Sequence, residues 1–272
     1  MAITRPLVLG LACILGAARA PAATPDTPYS PFVHIAGEGD LPLLETGDIA
    51  PLRLFLFIHD DIIKPPPASA GDPLFADALL GAEDHAPGEV VGNIHEGYMA
   101  WWLEELHRIL PGEPIRVTYL TNMPGLTNIP HGHADTLTDW AHALRGLAGH
   151  YQLPWMSSYR NKFILIVPDG VGFLTAGKAY GEGVEAVASL AGPWTIVAHE
   201  VGHLLGATHE EAETRATGWW WCQTTMHAVP APFLGSCYEY SAANRRRIQD
   251  YYHHGPARPL AQGHTAAGPV DD

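Results

Sequence analysis

The string His199-Glu200-Val201-Gly202-His203-Leu204-Leu205-Gly206-Ala207-Thr208-His209 restricts what this 272-residue chain can fold into more than any other stretch. His199 and His203 are four residues apart, a spacing that brings two side chains onto one helix face a turn apart. Gly206 tolerates positive φ, so the helix can stop there and the chain can swing His209 back toward the same point. The fold must therefore hold a helix, an abrupt stop and a return segment around one locus. Three neutral imidazoles suit Zn²⁺, and a set of three protein ligands leaves a fourth position open for water, as catalytic rather than structural zinc sites do. Glu200 follows the first ligand and can face that open position without ligating. Upstream, Gly192-Pro193 places proline at a first helical position, and Trp194 to Leu205 contains no breaker except Gly202. A helix of about thirteen residues is expected.

The N-terminus reads as a segment that does not belong to the fold. Arg5 precedes an apolar run from Pro6 to Ala18, and Ala18-Arg19-Ala20 forms an A-x-A site with Pro21-Ala22-Ala23 beyond it. Residues 1–20 are expected as a cleaved signal peptide. The run is too short to span a bilayer, and a lipoprotein anchor at Cys13 is disfavoured by Gly10, which stands where a branched apolar residue is wanted. The mature chain is expected to be secreted or periplasmic, with no membrane insertion. Cleavage leaves Cys222 and Cys237 as its only cysteines. An even count in an exported chain points to one disulfide closing a loop of about 15 residues and contributing ~3 kcal/mol; the alternative is two free or metal-binding thiols. The formal charge of −14 becomes two units more negative once Arg5 and Arg19 are removed. No basic stripe remains, which argues against nucleic acid or anionic membranes as partners.

With 47% hydrophobic and 16% charged residues, one globular domain is expected. It is placed at 51–254, after an irregular Pro/Ala/Gly-rich lead-in at 21–50 and before a flexible tail at 255–272. Arg53 to Ile58, Ile115 to Leu120 and Lys162 to Val167 read as buried strands. Tyr98 to Leu110, about Asp135 to Tyr151, and Ser241 to Tyr252 read as helices, and a short helix is expected near Leu74 to Leu80. Val184-Glu185-Ala186-Val187 alternates as an edge or partly exposed strand does. Strands alternating with helices predict an α/β sheet with helices packed on it.

The long zinc motif, followed by Met226, resembles the metzincin clan of zinc metalloendopeptidases. The resemblance runs over roughly residues 160–250 and is nearest to the adamalysin or reprolysin-like group. The short gap from His209 to Met226, the run Cys222-Gln223-Thr224-Thr225-Met226, and Ser236-Cys237 leading into Tyr240 to Arg246 carry it. Glu210 departs from it, since that group usually has Asp there and the astacins have Glu. Met226-His227 also echoes astacins, but Ala228 stands where they have tyrosine. The resemblance implies a twisted, mostly parallel sheet with an antiparallel edge strand, an active-site helix and a C-terminal helix. It implies a Met-turn at Met226 packing beneath one catalytic Zn²⁺ held by His199, His203 and His209. It also implies peptide binding by addition to the edge strand, with Gly177 to Ala188 as the segment and Gly177, Ala179 and Val184 as contacts. Val229 and Pro230, within Val229 to Leu234, would line the pocket for the side chain just after the scissile bond.

The expected chemistry is hydrolysis of a peptide or protein substrate, with Glu200 accepting a proton from the attacking water and passing it to the leaving amine. Two other classes stay open: a catalytically silent binding module on the same scaffold, and a zinc hydrolase of a non-protein amide. No cysteine switch is available after signal cleavage, so any latency would rest on a proteinaceous inhibitor. His131-Gly132-His133-Ala134-Asp135 has ligand types that suit a second metal, but no fourth ligand can be named and an exposed loop is expected. His253, His254 and His264 are assigned no role.

Overall fold

The computed structural model describes residues 35–36, 51–64, 86–151, 153, 158–172, 175–218, 220–231, 233–257 and 269–271. The signal peptide expected at 1–20, the short helix expected near Leu74 to Leu80, and most of the expected lead-in and tail lie outside the described residues.

A seven-stranded sheet is built from β1 (Ile35–Ala36), β2 (Leu52–Ile58), β3 (Ile115–Leu120), β4 (Asn161–Val167), β5 (Gly177–Tyr180), β6 (Glu185–Ser189) and the C-terminal strand Pro269–Asp271. Its order is β1-β3-β2-β4-β6-β5 followed by Pro269–Asp271. The first five strands in that order run parallel, and β5 runs antiparallel to β6. The expected α/β class, mostly parallel with an antiparallel strand toward one edge, is what forms.

Alternation along β2 explains the layers. Leu52, Leu54, Leu56 and Ile58 point into one core, and Phe55 and Phe57 into a second core on the opposite face. Strands buried on both faces read as continuous apolar runs, which is why β2 and β4 were legible without a polar phase. One face is covered by α2 (Pro87–Ile94), α3 (Ala100–Ile109), α5 (Ile196–Leu204) and α6 (Ala242–His254), and the other by α4 (Thr136–Leu147). The short α1 (Asp60–Ile63) follows β2. A second sheet joins β7 (Thr214–Thr217), β8 (Trp220–Gln223) and β9 (Gly235–Ser236).

Several expectations change. The helix expected from Tyr98 begins at Pro87 and passes through a π-helical turn, His95–Met99, into α3. Gly97 lies in that turn because a Cβ there would sit 2.4 Å from the Trp194 ring; the glycine marks a close approach and not a break. The metal-site helix is shorter than expected, with nine residues, because Pro193 to Thr195 form a turn whose Pro193 carbonyl accepts from Ile196 N–H. Glu185–Ser189 is no edge: it is buried throughout and lies between β4 and β5. Pro269–Asp271, expected within a flexible tail, pairs antiparallel with β5.

Lys162, read only as the start of a strand, is fully buried. Its Nζ donates to Gly183 O at 2.6 Å, Leu204 O at 2.7 Å and Tyr251 Oη at 2.7 Å. Leu204 is the last residue of α5, so a buried amine satisfies a carbonyl that the helix end leaves open. Burial pushes this amine well below the usual lysine range. Lys162→Met should strand the Gly183 and Leu204 carbonyls, while the Tyr251 hydroxyl keeps Glu182 O at 3.2 Å, and should lower unfolding free energy by about 2–4 kcal/mol. Urea titration of the two proteins reads this directly, and an unchanged midpoint would contradict the tether.

Candidate metal centre

Helix α5 presents His199 and His203 from one face, as the four-residue spacing requires, and Gly206 at φ +82° turns the chain so that His209 returns to them. The three Nε2 atoms form a triangle with sides of 3.2 Å (His199 to His203), 3.0 Å (His199 to His209) and 2.9 Å (His203 to His209). Ligands at about 2.0–2.1 Å from a tetrahedral Zn²⁺ are separated by roughly 3.3 Å. The set therefore fits a small N-binding cation.

Backbone carbonyls behind the rings set their orientations. His199 Nδ1 lies 2.7 Å from Thr225 O, and His203 Nδ1 lies 3.2 Å from Ala207 O. A carbonyl only accepts, so each Nδ1 carries the proton and each Nε2 keeps its lone pair for the centre of the triangle. Histidine ligands in metal sites are held in this way. His199 and His203 are buried, while His209 is partly accessible, which leaves the centre one open side.

Glu200 is completely buried. A Cβ added to Gly177 would sit 2.1 Å from Glu200 Oε1, so the first residue of β5 lies directly on the carboxylate. Only a glycine can occupy that position without displacing Glu200. Ala179 is also in β5, on the same strand as expected. Val184 is not a surface contact: it is 4% exposed and packs in the core against the α4 face. Val229 is exposed at 76% and Pro230 is exposed beside it.

Met226 is fully buried beneath α5. A Cβ on Gly202 would meet Met226 Sδ at 2.6 Å and Tyr240 Cε1 at 3.0 Å. The glycine between the two helical histidines therefore exists to let a floor approach the helix backbone. Tyr240 was missed as part of this floor. Its hydroxyl donates to Ala198 O at 2.5 Å and accepts from Trp102 Nε1 at 2.8 Å. Burial pushes the phenol up, which keeps it a neutral donor. An interior helical glycine was the available signal for this close packing. Cys222 and Cys237 are joined in a disulfide, and the loop that they close contains Thr225 and Met226.

The histidine loop resolves differently from the grouping His131-Gly132-His133-Ala134-Asp135. His131 meets Asp61 at 3.1 Å and stacks edge-on against His59, whereas His133 faces Asp139 at 3.7 Å. His59, Asp61 and His131 form the second group of metal-ligand types among the described residues. His59 has both ring nitrogens engaged, with Nε2 donating to Ile129 O and Nδ1 accepting from Asp61 N–H. That ring is already the cap of α1. Burial also holds its pKa down. Glu210 sits at the surface, where hydrogen bonds from its own backbone and Thr208 hold its carboxyl below the usual range.

No family model matches the chain, and no curated protein matches it. Among solved structures, that of metalloproteinase-II from Bacteroides fragilis is similar, with a TM-score of 0.46 and 16% identity. The match covers 76% of this chain and 55% of that one, so this chain spans about half of its length.

Gly202→Val should force Met226 and Tyr240 away from α5. Zinc affinity measured by competition with a chromophoric chelator should fall at least about ten-fold, the size usual for disturbing groups that orient metal ligands. Unaltered affinity would show that the floor does not position the histidines.

Proposed function

We propose that the chain is an exported zinc-dependent endopeptidase, closest in kind to the adamalysin or reprolysin-like metzincins. The observation that carries this reading is the triangle of three Nε2 lone pairs, two of them aimed by backbone carbonyls, beside a fully buried glutamate under a strand that can receive a peptide. His199, His203 and His209 would hold the ion. When bound, Zn²⁺ would supply Lewis acidity toward water and the scissile carbonyl.

The chain's own residues supply the rest. Glu200, on the ligand helix next to His199 and buried, accepts a proton from water and returns it to the departing amine, the general acid-base role. Strand β5 offers main-chain donors and acceptors to an extended substrate. Its close approach to Glu200 at Gly177 supports a substrate laid along β5 passing beside that carboxylate. Val229 and Pro230 would wall the side-chain pocket beyond the scissile bond. Met226 acts as the Met-turn floor. The Cys222–Cys237 disulfide, with the signal-peptide pattern read at residues 1–20, supports a periplasmic or secreted location.

Glu200→Gln should bind zinc with wild-type stoichiometry, while kcat on casein or a quenched peptide falls on the order of 10²–10⁴-fold. Metal analysis alongside the assay separates loss of chemistry from loss of the ion. Wild-type turnover by this variant would remove Glu200 from the mechanism. A metal-loaded wild-type chain that cleaves no peptide, with or without prior chelation, would favour the silent module or the non-protein amide.

A further inference from the structure

Strand β10 (Pro269–Asp271) lies against the side of β5 that faces away from β6. The register pairs Pro269 with Tyr180, Val270 with Ala179 and Asp271 with Lys178. The orientation of the β5 main chain follows from its other neighbour. Ser189 N–H donates to Ala176 O at 2.8 Å, and β5 pairs with β6 in the register Gly177 to Ala188 and Ala179 to Ala186. Directly opposed residues in an antiparallel ladder alternate between bonded and non-bonded pairs. Since residue 176 bonds toward β6, residues 177 and 179 turn their N–H and C=O groups to the outside.

Ala179 therefore exchanges both main-chain bonds with Val270, and Pro269 stands at a non-bonded pair. A proline has no N–H to give, so the sequence places it where the ladder asks for none. The strand runs from Tyr180 toward Lys178, that is, toward Gly177 and the Glu200 carboxylate beneath it. The tail thus occupies the outward groups of the edge in extended form and approaches the metal centre along it.

We infer that the C-terminal segment is a built-in competitor of substrate: β10 fills the peptide-binding edge of β5, and an incoming peptide must displace it. This rests on the reading of β5 as the substrate strand. Fourteen residues, 255–268, separate α6 from β10. A segment tethered at that distance acts at an effective concentration on the order of millimolar, so a three-residue pairing too weak to bind in trans at ordinary concentration can hold the edge in cis. A short ladder also yields to a longer peptide that bonds at both Gly177 and Ala179. The outcome is a threshold on substrate length and not a permanent block.

Three proteins test it: the full chain, a chain ending at Gly268, and the full-length Val270→Pro variant, which removes one ladder donor without shortening the tail. With equal zinc content, both altered chains should cleave a short quenched peptide with KM lowered about three- to ten-fold and kcat unchanged. A fluorescein-labelled peptide of residues 264–272 should bind the chain ending at Gly268 more tightly than the full chain, and its Val270→Pro counterpart should not bind. KM equal in all three proteins, or labelled peptide that binds the full and shortened chains alike, overturns the inference. If none of the three cleaves peptide, the peptidase reading fails, while the labelled-peptide comparison still decides whether β10 holds the edge.

Discussion

The approach of Met226 and Tyr240 to the backbone of α5 across Gly202 is the constraint on which the site depends. Two histidines on a helix fix only a direction; what the helix rests on fixes where they stand, and the turn at Gly206 with the Asn244 amide on both main-chain groups of Thr208 brings His209 to them. A single Cβ at Gly202 would overlap the methionine sulfur. From that contact outward the groups interlock. Tyr240 reaches the Ala198 carbonyl one residue before the first histidine, and Trp102 of α3 holds the same hydroxyl from the other side. Thr225, immediately before Met226, gives its carbonyl to His199.

The floor is in turn held by charge. Glu105 of α3 is completely buried, accepts from Tyr240 N–H at 3.0 Å, and meets Arg245 of α6 through two bonds at 2.8 Å and 3.1 Å. Arg245 also reaches Glu239 at 2.7 Å. A buried carboxylate is tolerated only with such a set of donors. The pairing clamps α3 and α6 around Tyr240, while Lys162 ties the far end of α5 to Tyr251 of α6. The metal helix is thus restrained at its middle by packing and at its end by hydrogen bonds, and it owes little to intrinsic helix length.

What could be read from residues alone was what local periodicity encodes. The three apolar strands, the closing helix capped by Ser241, and the metal motif each carry their pattern within a dozen residues. The errors share a cause. Val184 and Glu185–Ser189 alternate in hydrophobicity, but their burial was decided by α5 packing on one face of the sheet and α4 on the other. The helix from Pro87 was hidden because Gly88, Gly92 and Gly97 look like breakers, and only the distant Trp194 explains Gly97. Lys162 and Glu105 look like surface charges until partners from other parts of the chain arrive: Gly183, Leu204 and Tyr251 for the first, Tyr240 and Arg245 for the second. The hairpin of β7 and β8 held no turn signal beyond Gly218.

The loop closed by Cys222–Cys237 carries both the carbonyl that sets the tautomer of His199 and the sulfur beneath Gly202. A covalent link between thiols forms in oxidising surroundings and not in a reducing cytosol. Before oxidation the carbonyl and the floor are tethered only by packing, and afterwards the Cys222–Cys237 link pins the loop that carries both. On the proposed reading of the chain as an exported peptidase, the order of events would be export, oxidation, then completion of the loop beneath the centre, so that the site would mature only after leaving the compartment whose proteins it could damage.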